Sequence, residues 1–359
     1  MSSYSVAKVP GDGTGPEVVE EAVKVLAAAG AVHGFDIEYH DLDLGGERYL
    51  RSKETLTGAD IQTLSNANAI LFGAVGHPDV PPGILEQEIL LRMRRELDQF
   101  INLRPVKLHP GVKGPLRDVA PSEVDMVVVR ENSEGLYVNQ GEFTAKGGPF
   151  EVAVQLSVNS RFAVERCIRY AFDLAASRPR RHLTMCGKTN VLTFASDLWA
   201  RVFEEVAAEY PQVETAYAHI DAACYWMVES PGRFDVVVTD NMFGDIITDL
   251  GAAIQGGLGI AAGANINPNG VSMFEPIGGT APGFEGTGLI NPLAAIGASA
   301  MMLGDLGEAA AASAVEKAVG EVAGSLPSLR AGEMGISTSE VGDRVVSLVV
   351  EPEPAGAAR

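Results

Sequence analysis

Short apolar runs that alternate with helical segments constrain the fold of this chain more than any other feature. The runs at residues 69–75, 124–129 and 236–239 are mostly apolar, as expected of strands that are buried on both faces. Residues 17–29 instead place apolar side chains at helical spacing. This alternation predicts an α/β fold with a largely parallel sheet.

Chemically useful residues follow several of these predicted strands. In open α/β folds, ligands bind beyond the carboxyl ends of the strands. The residues at such positions are Gly11, Gly76, Arg130, Lys188, Asp221 and Asp240. Their repeated placement predicts that they share one active cleft.

Composition narrows the class of protein. The chain has 359 residues, enough for two domains or two lobes, and its formal net charge of −20 disfavours nucleic acid and anionic membranes as partners. Its three cysteines predict free thiols in a reducing compartment. The amino terminus resembles no targeting signal, and the apolar stretch 291–303 is too short to span a bilayer. We therefore expect a cytoplasmic protein without a membrane partner.

The segment 240–249 predicts a site for a divalent cation. Asp245 and Asp249 are four residues apart, so they share one face of a helix, and Asp221 lies a short distance upstream in the sequence. Carboxylate oxygens suit Mg²⁺ or Mn²⁺. A cation site in such a chain implies an anionic ligand and favours an enzyme.

Two glycine-containing motifs do not predict a nucleotide fold. Residues 11–15 read G-x-G-x-G, which lacks the spacing of the dinucleotide fingerprint and favours a flexible turn. Gly187 and Lys188 mimic the end of a P-loop, but residue 182 is His182 where a glycine would be needed. Lys188 is then either a surface cap or a base aimed into the cleft.

Several other polar residues have both a functional and a structural interpretation. Arg104 and Arg130 lie in or near apolar segments, where a cation needs an anionic partner, and arginine binds carboxylates bidentately. Tyr137 could donate a proton or form a structural hydrogen bond. His219 more often has a structural role at such a position, since no second histidine is near it in the sequence.

Several long motifs, in the same order, resemble the metal-dependent β-decarboxylating dehydrogenases, a family that includes isopropylmalate, isocitrate, homoisocitrate and tartrate dehydrogenases. The chain is most similar to the isopropylmalate members. The motifs are GDGTGPEV (11–18), LLRMRRELDQFINLRPVKLHPGV (90–112), VVVRENSEGLY (127–137), GKTNVL (187–192), HIDAA (219–223), FDVVVTDNMFGDIITDL (234–250), SMFEPIGGTAP (272–282) and INP (290–292).

The resemblance implies a two-lobed, non-Rossmann α/β fold with mixed sheets flanked by helices. The cofactor-binding lobe would comprise residues 1–100 and 254–350. Residues 101–253 would form the lobe for substrate, metal and dimerisation, and 351–359 a disordered tail. The family also implies a homodimer with shared active sites.

The resemblance also implies residue roles. Tyr137 would be the acid that protonates the enol, and Lys188 would be the general base, supplied by the partner subunit. Asp221 of the same partner, with Asp245 and Asp249, would hold Mg²⁺ or Mn²⁺. The predicted substrate-binding residues are Leu90, Leu91, Arg94, Arg104, Arg130 and Asp221.

The cofactor loop departs from the family pattern. Where most NAD-dependent members have a histidine and an aspartate, this chain has Gly278 and Gly283. The lysine–tyrosine pair that holds the 2′-phosphate of NADP in isocitrate dehydrogenases is absent too, so we predict NAD. The predicted cofactor-binding residues are Thr14, Glu275, Gly278, Gly279, Thr280, Ala281, Gly283 and Asn291.

Three functions follow as expectations. Glu88 and Leu90 stand where isocitrate dehydrogenases bind a third carboxylate, which favours a 3-alkylmalate such as 3-isopropylmalate and a role in leucine biosynthesis. A paralogue acting on tartrate, malate or another 2-hydroxy diacid is the second possibility. A non-catalytic organic-acid-binding relative is the third, disfavoured by the presence of an acid, a base and three aspartates.

Overall fold

The computed structural model describes residues 2–351; Met1 and residues 352–359 lie outside the described part. The predicted disordered tail falls almost wholly on those residues. The described chain forms two compact units. Unit 1 comprises residues up to Leu97, Leu108–Pro115 and residues from Gln255 onward, and unit 2 comprises Asp98–Lys107 and Leu116–Ile254.

Unit 1 contains five strands and seven α-helices. The strands are β1 (Ser2–Gly11), β2 (Phe35–Asp41), β3 (Ala69–Ala74), β11 (Ala262–Ile266) and β12 (Ser272–Pro276). The helices are α1 (Gly15–His33), α2 (Gly46–Ser52), α3 (Gly58–Asn66), α4 (Arg92–Glu96), α9 (Leu293–Asp305), α10 (Ala309–Ser325) and α11 (Thr338–Val350), with a π-helix at Glu86–Leu91 and a 3-10 turn at Leu258–Ile260.

The strands of unit 1 are ordered β2-β1-β3-β12-β11. All neighbours are parallel except β11 and β12, which are antiparallel. Strand β3 is buried at every position, as the apolar run predicted. Gly11 ends β1 with φ +74°, and a Cβ there would lie 1.8 Å from the Ala74 carbonyl oxygen, so only glycine allows this close approach of β1 to β3.

Unit 2 contains seven strands and four α-helices. The strands are β4 (Ile101–Lys107), β5 (Asp125–Glu131), β6 (Gly141–Thr144), β7 (Val152–Gln155), β8 (His182–Gly187), β9 (Glu214–His219) and β10 (Val236–Thr239). The helices are α5 (Arg161–Ser177), α6 (Thr193–Ala207), α7 (Ile220–Glu229) and α8 (Asn241–Ile254), with 3-10 turns at Pro121–Glu123, Leu136–Val138 and Pro231–Arg233.

The main sheet of unit 2 has the order β4-β5-β10-β8-β9, and β6 pairs with β7 in a separate hairpin. Strands β5, β10, β8 and β9 are parallel, whereas β4 runs antiparallel to β5. The carboxyl ends of four parallel strands therefore meet at one edge. Arg130, Asp240, Lys188 and Asp221 lie at or just after these ends.

These sheets confirm the α/β class with mixed sheets flanked by helices. Most strand pairs are parallel, as expected, and the antiparallel pairs are β4–β5, β11–β12 and the hairpin β6–β7. The functional assignment of the predicted lobes stays a prediction. The spacing of residues 85–100 predicts a single helix there, and this prediction is wrong, because the segment changes from a π-helix to α4 and α4 ends at Glu96. Among residues 2–351, no helix combines the length and apolarity required to cross a membrane.

Candidate active site

Arg130 is a deeply buried cation of unit 2. It lies near the end of β5, and its side chain is only 2% exposed. Its Nη1 pairs with Asp245 Oδ1 at 2.5 Å, and its Nε donates to Asn241 Oδ1 at 3.0 Å. These bonds compensate a charge that would otherwise be costly to bury. They also fix the plane of the guanidinium.

Tyr137 lies against the same group of residues. Its hydroxyl donates to Asp245 Oδ2 at 2.7 Å, and the Arg130 guanidinium carbon lies 5.1 Å from the centre of its ring. Burial, and then the hydrogen bond to Asp245, raise the pKa of Tyr137 above its usual value of 10.0. Tyr137 is therefore protonated at neutral pH, as a general acid must be.

Asp245 and Asp249 offer carboxylate oxygens on one face of α8. Burial acts to raise the pKa of Asp245, but the charge of Arg130 and the bond from Tyr137 outweigh it and lower the pKa below 3.8. The Asp245 side chain is still 49% exposed, and Asp249 is exposed. Two accessible carboxylates one helical turn apart fit the oxygen donor set of Mg²⁺ or Mn²⁺.

The third predicted metal ligand has a different partner. Asp221, in the first turn of α7, accepts from the Lys188 Nζ at 2.6 Å. The hydrogen bond from Lys188 is the largest cause that lowers the pKa of Asp221 below 3.8. Between Ser2 and Glu351, no three histidine, cysteine or acidic side chains form a group able to hold a metal ion. The three aspartates are thus split between two places in one chain.

Lys188 follows β8 directly, and its neighbour Gly187 lines a concave space that opens to solvent. Thr189 and Tyr217 line this space, and the Thr189 backbone N–H donates to the Tyr217 hydroxyl at 3.1 Å. The same hydroxyl lies 3.0 Å from His219 Nδ1. His219 thus has a partner within unit 2, in line with its expected structural role.

Arg94 and Arg104, the other predicted carboxylate-binding arginines, are both buried. In unit 2, Arg104 Nε donates to Asn102 Oδ1 at 2.6 Å. In unit 1, Arg94 Nη2 pairs with Glu275 Oε1 at 3.1 Å, and Asn265 donates to the same oxygen at 2.8 Å. Glu275, predicted to bind cofactor, therefore neutralises Arg94 within this chain.

The predicted cofactor loop of unit 1 is tied to the start of α1. The backbone N–H and the hydroxyl of buried Thr14 both donate to the Thr280 carbonyl oxygen, at 3.1 and 3.3 Å. Further along the loop, the Glu17 carboxylate accepts from the backbone N–H groups of Gly286 and Gly288. The amino end of α1, where backbone donors point outward, thus faces this loop.

The remaining cofactor-loop residues differ in exposure. Gly278, Gly279 and Gly283 are exposed, and φ is +62° at Gly279, +44° at Ala281 and +91° at Gly283. Asn291 is buried, and its side chain bonds the Leu329 carbonyl oxygen and the Leu293 N–H, each at 3.0 Å. Its side chain therefore orders the start of α9.

Leu90 and Leu91, predicted to contact the substrate, end the π-helix Glu86–Leu91. Both are partly buried, and Leu90 packs on a core cluster that includes Ile89 and Met93. Glu88 on the same turn is exposed. π-Helical turns are rare and are frequent at functional sites.

Sequence reasoning missed two buried residues that hold this site. Asn241 bonds Arg130, and Glu131 accepts from the backbone N–H groups of Ser133 and Glu134 at 2.8 and 2.9 Å. Burial raises the pKa of the Glu131 carboxyl. The only sign of these two residues in the sequence was that each adjoins an apolar strand.

The chain belongs to the isocitrate/isopropylmalate dehydrogenase family, whose model matches residues 5–345. Within it, the chain is 50% identical to the 3-isopropylmalate dehydrogenase of Thermobifida fusca, with 98% of this chain and 99% of that protein covered. It is 52% identical to the 3-isopropylmalate dehydrogenase of Corynebacterium efficiens, with 96% and 99% covered. The family resemblance of the motifs is confirmed.

Solved structures agree with the fold. The isocitrate dehydrogenase of Methylococcus capsulatus superimposes with a TM-score of 0.87 at 33% identity, covering 97% of this chain and all (100%) of that one. The TT0538 protein of Thermus thermophilus gives a TM-score of 0.86 at 31% identity, covering 99% of this chain and 70% of that one.

Proposed function

We propose that this chain catalyses the NAD-dependent oxidative decarboxylation of 3-isopropylmalate to 2-oxoisocaproate, a reaction of leucine biosynthesis. The near-full-length match to curated 3-isopropylmalate dehydrogenases carries the proposal. The same chain retains an acid, a base and the carboxylates that such chemistry requires. We place the enzyme in the cytoplasm.

In the proposed reaction, the Lys188 amine accepts the proton of the substrate C2 hydroxyl, and bound NAD would supply the acceptor for the C2 hydride. Asp221 holds the Lys188 Nζ at 2.6 Å and so orients the base. Arg104 and Arg130 of unit 2 bind substrate carboxylates, and Arg94 of unit 1 stays a predicted carboxylate ligand. Oxidation gives a β-keto acid, which loses CO₂. The Tyr137 hydroxyl then donates a proton to the carbon atom from which the CO₂ left.

Asp245 and Asp249, with Asp221 from a second subunit, are the proposed ligands of Mg²⁺ or Mn²⁺. A bound divalent ion would act as a Lewis acid on the hydroxyl and carboxylate oxygens of the substrate. Asp245 is suited to this role because its lowered pKa keeps it ionised without help from the metal.

NAD is the proposed cofactor. A cation would be needed to bind the 2′-phosphate of NADP, whereas residues 278–286 contain Glu285 and no lysine or arginine. Thr14 and Glu17 tie this loop to α1 in the free protein. The loop would then offer backbone N–H groups to the cofactor.

A homodimer is proposed because one chain holds the chemical groups in two separate sets. Lys188 pairs with Asp221, whereas Tyr137 pairs with Asp245. Unit 2 also exposes several large apolar side chains that a second copy could cover. They include Phe143, Phe150, Val152, Leu156 and Phe194.

A substrate panel tests the proposal. Isopropylmalate, malate, tartrate, isocitrate and homoisocitrate are each offered with NAD or NADP and with Mg²⁺ or Mn²⁺, and kcat/KM is measured from reduced cofactor. We expect the highest value for isopropylmalate with NAD. A highest kcat/KM on tartrate or malate would establish the paralogue instead. A highest kcat/KM on isocitrate would refute the interpretation that Glu88 and Leu90 disfavour a third carboxylate. Binding without turnover would establish the non-catalytic relative.

A further inference from the structure

Asn241 is the first residue of α8, and its side chain is 2% exposed. Its Oδ1 accepts from Arg130 Nε, and its Nδ2 donates to the backbone carbonyl oxygen of Glu134, both at 3.0 Å. One amide therefore joins a buried arginine at the end of β5 to the polar loop that leads to Tyr137.

That loop is fixed at several other points, so its position is well defined. Glu131 accepts from the N–H groups of Ser133 and Glu134, and the Glu134 carboxylate accepts from the N–H and the hydroxyl of Ser160 at 2.6 and 2.7 Å. Gly135 adopts φ +75°, and a Cβ there would lie 3.3 Å from the Asn241 Cβ. The loop thus passes directly over Asn241.

We propose that Asn241 is a positioning residue of this site: its amide sets the Arg130 guanidinium for the substrate carboxylate and, through the Glu134 carbonyl, sets the loop that carries the acid Tyr137. The inference rests on the proposed function. Both bonds are needed, because a side chain with only acceptors cannot donate to a carbonyl oxygen and one with only donors cannot accept from arginine. Asparagine is short enough to do both from the first turn of a helix.

Two variants separate the two bonds. Asn241→Asp keeps an acceptor for Arg130 Nε but places a carboxylate oxygen against the Glu134 carbonyl, which repels it. We expect KM for isopropylmalate to stay near the wild-type value while kcat falls roughly 10-fold or more, since small misplacements of a reacting group cost up to about 100-fold. Asn241→Ala removes both bonds, and we expect KM to rise as well.

The control is Asn269→Ala, at an exposed position of a turn in unit 1, which we expect to leave both constants unchanged. Hydrogen exchange of the backbone over residues 132–138 provides a readout that needs no turnover. We expect faster exchange there in both Asn241 variants and wild-type exchange in the control.

The outcomes are distinguishable from failure of the proposed function. If the wild type turns over none of the panel acids, the proposed reaction is wrong, and exchange over 132–138 alone decides whether Asn241 holds the loop. If the wild type is active but Asn241→Asp shows wild-type kcat and wild-type exchange, the inference is overturned.

Discussion

Gly244 is the residue at which a single methyl group should damage the site. It lies on α8 beneath Arg130, and a Cβ there would lie 2.4 Å from Arg130 Cγ and 2.7 Å from its Cβ. Because Arg130 is buried, it cannot move away cheaply. We expect Gly244→Ala to raise KM for isopropylmalate about 10-fold and to lower the free energy of unfolding by about 1–3 kcal/mol.

Gly304→Ala is the matched control for that substitution. Gly304 lies on α9, and its nearest neighbour would be Ala312 Cβ at 3.9 Å, so a methyl group fits there. We expect unchanged kinetics and an equal or slightly higher melting temperature. Wild-type KM in Gly244→Ala would show that Arg130 is not held by this contact.

Lys188 is the residue that separates catalysis from binding. We expect Lys188→Ala to lower kcat about 10²–10⁴-fold, because the proton of the substrate hydroxyl loses its acceptor. Substrate affinity, measured by calorimetry, should change only a few-fold. Lys113→Ala, at an exposed position of unit 1, is the control. Equal kcat in the two variants would rule out Lys188 as the base.

At the scale of elements, the cap of α3 makes a pH-dependent contribution to stability. Thr57 and Asp60 form a capping box, and Asp60 also pairs with Arg48 at 3.0 Å. Burial acts to raise the pKa of Asp60, but the bonds from Arg48 and Thr57 outweigh it, and the pKa lies below 3.8. The folded state is therefore stabilised at neutral pH. This stabilisation is lost as the pH falls through the pKa that Asp60 has in the folded state.

Asp60→Ala should accordingly cost about 1–2 kcal/mol of unfolding free energy at pH 7. The difference from the wild type should shrink as the pH is taken below 3.8. Thermal unfolding of the variant and the wild type across this pH range measures the difference, with Asp79→Ala in the exposed loop after β3 as the control. A difference that persists unchanged in acid would mean that the carboxylate charge does not stabilise this helix.

Elements with a strong local pattern were predicted correctly, and those that depend on distant partners were not. Strand β10 was placed at its observed bounds because residues 236–239 are continuously apolar. Strand β4 was missed because Pro105 argues against a strand, although it pairs antiparallel with Val127. The π-helix was missed because six residues are too few for the sequence pattern to distinguish a π-helical turn from an α-helical one.

The candidate site shows the same division. Arg130, Lys188 and Asp221 could be placed because residues after parallel strands meet at one sheet edge. The role of Asn241 could not, because its bond to Glu134 joins residues 107 positions apart in the sequence. The pairing of Arg94 with Glu275 spans 181 positions and was equally invisible.

At the scale of the whole molecule, the proposed active site requires two copies of the chain. Tyr137 and Lys188 would face each other only across subunits, so each dimer would contain two sites of mixed origin. A monomer in solution would leave the large exposed apolar side chains of unit 2 uncovered. Sedimentation or light scattering should therefore report about twice the mass of one chain.

Complementation between two inactive variants tests the central claim most directly. Tyr137→Phe and Lys188→Ala are unfolded together, refolded at equal concentration and assayed with isopropylmalate, NAD and Mg²⁺. Half of the dimers would pair one variant with the other, and each of these would contain one site with both residues intact. We predict about one quarter of the wild-type rate. A rate no higher than that of the separate variants, with mixed dimers demonstrated, would contradict the account.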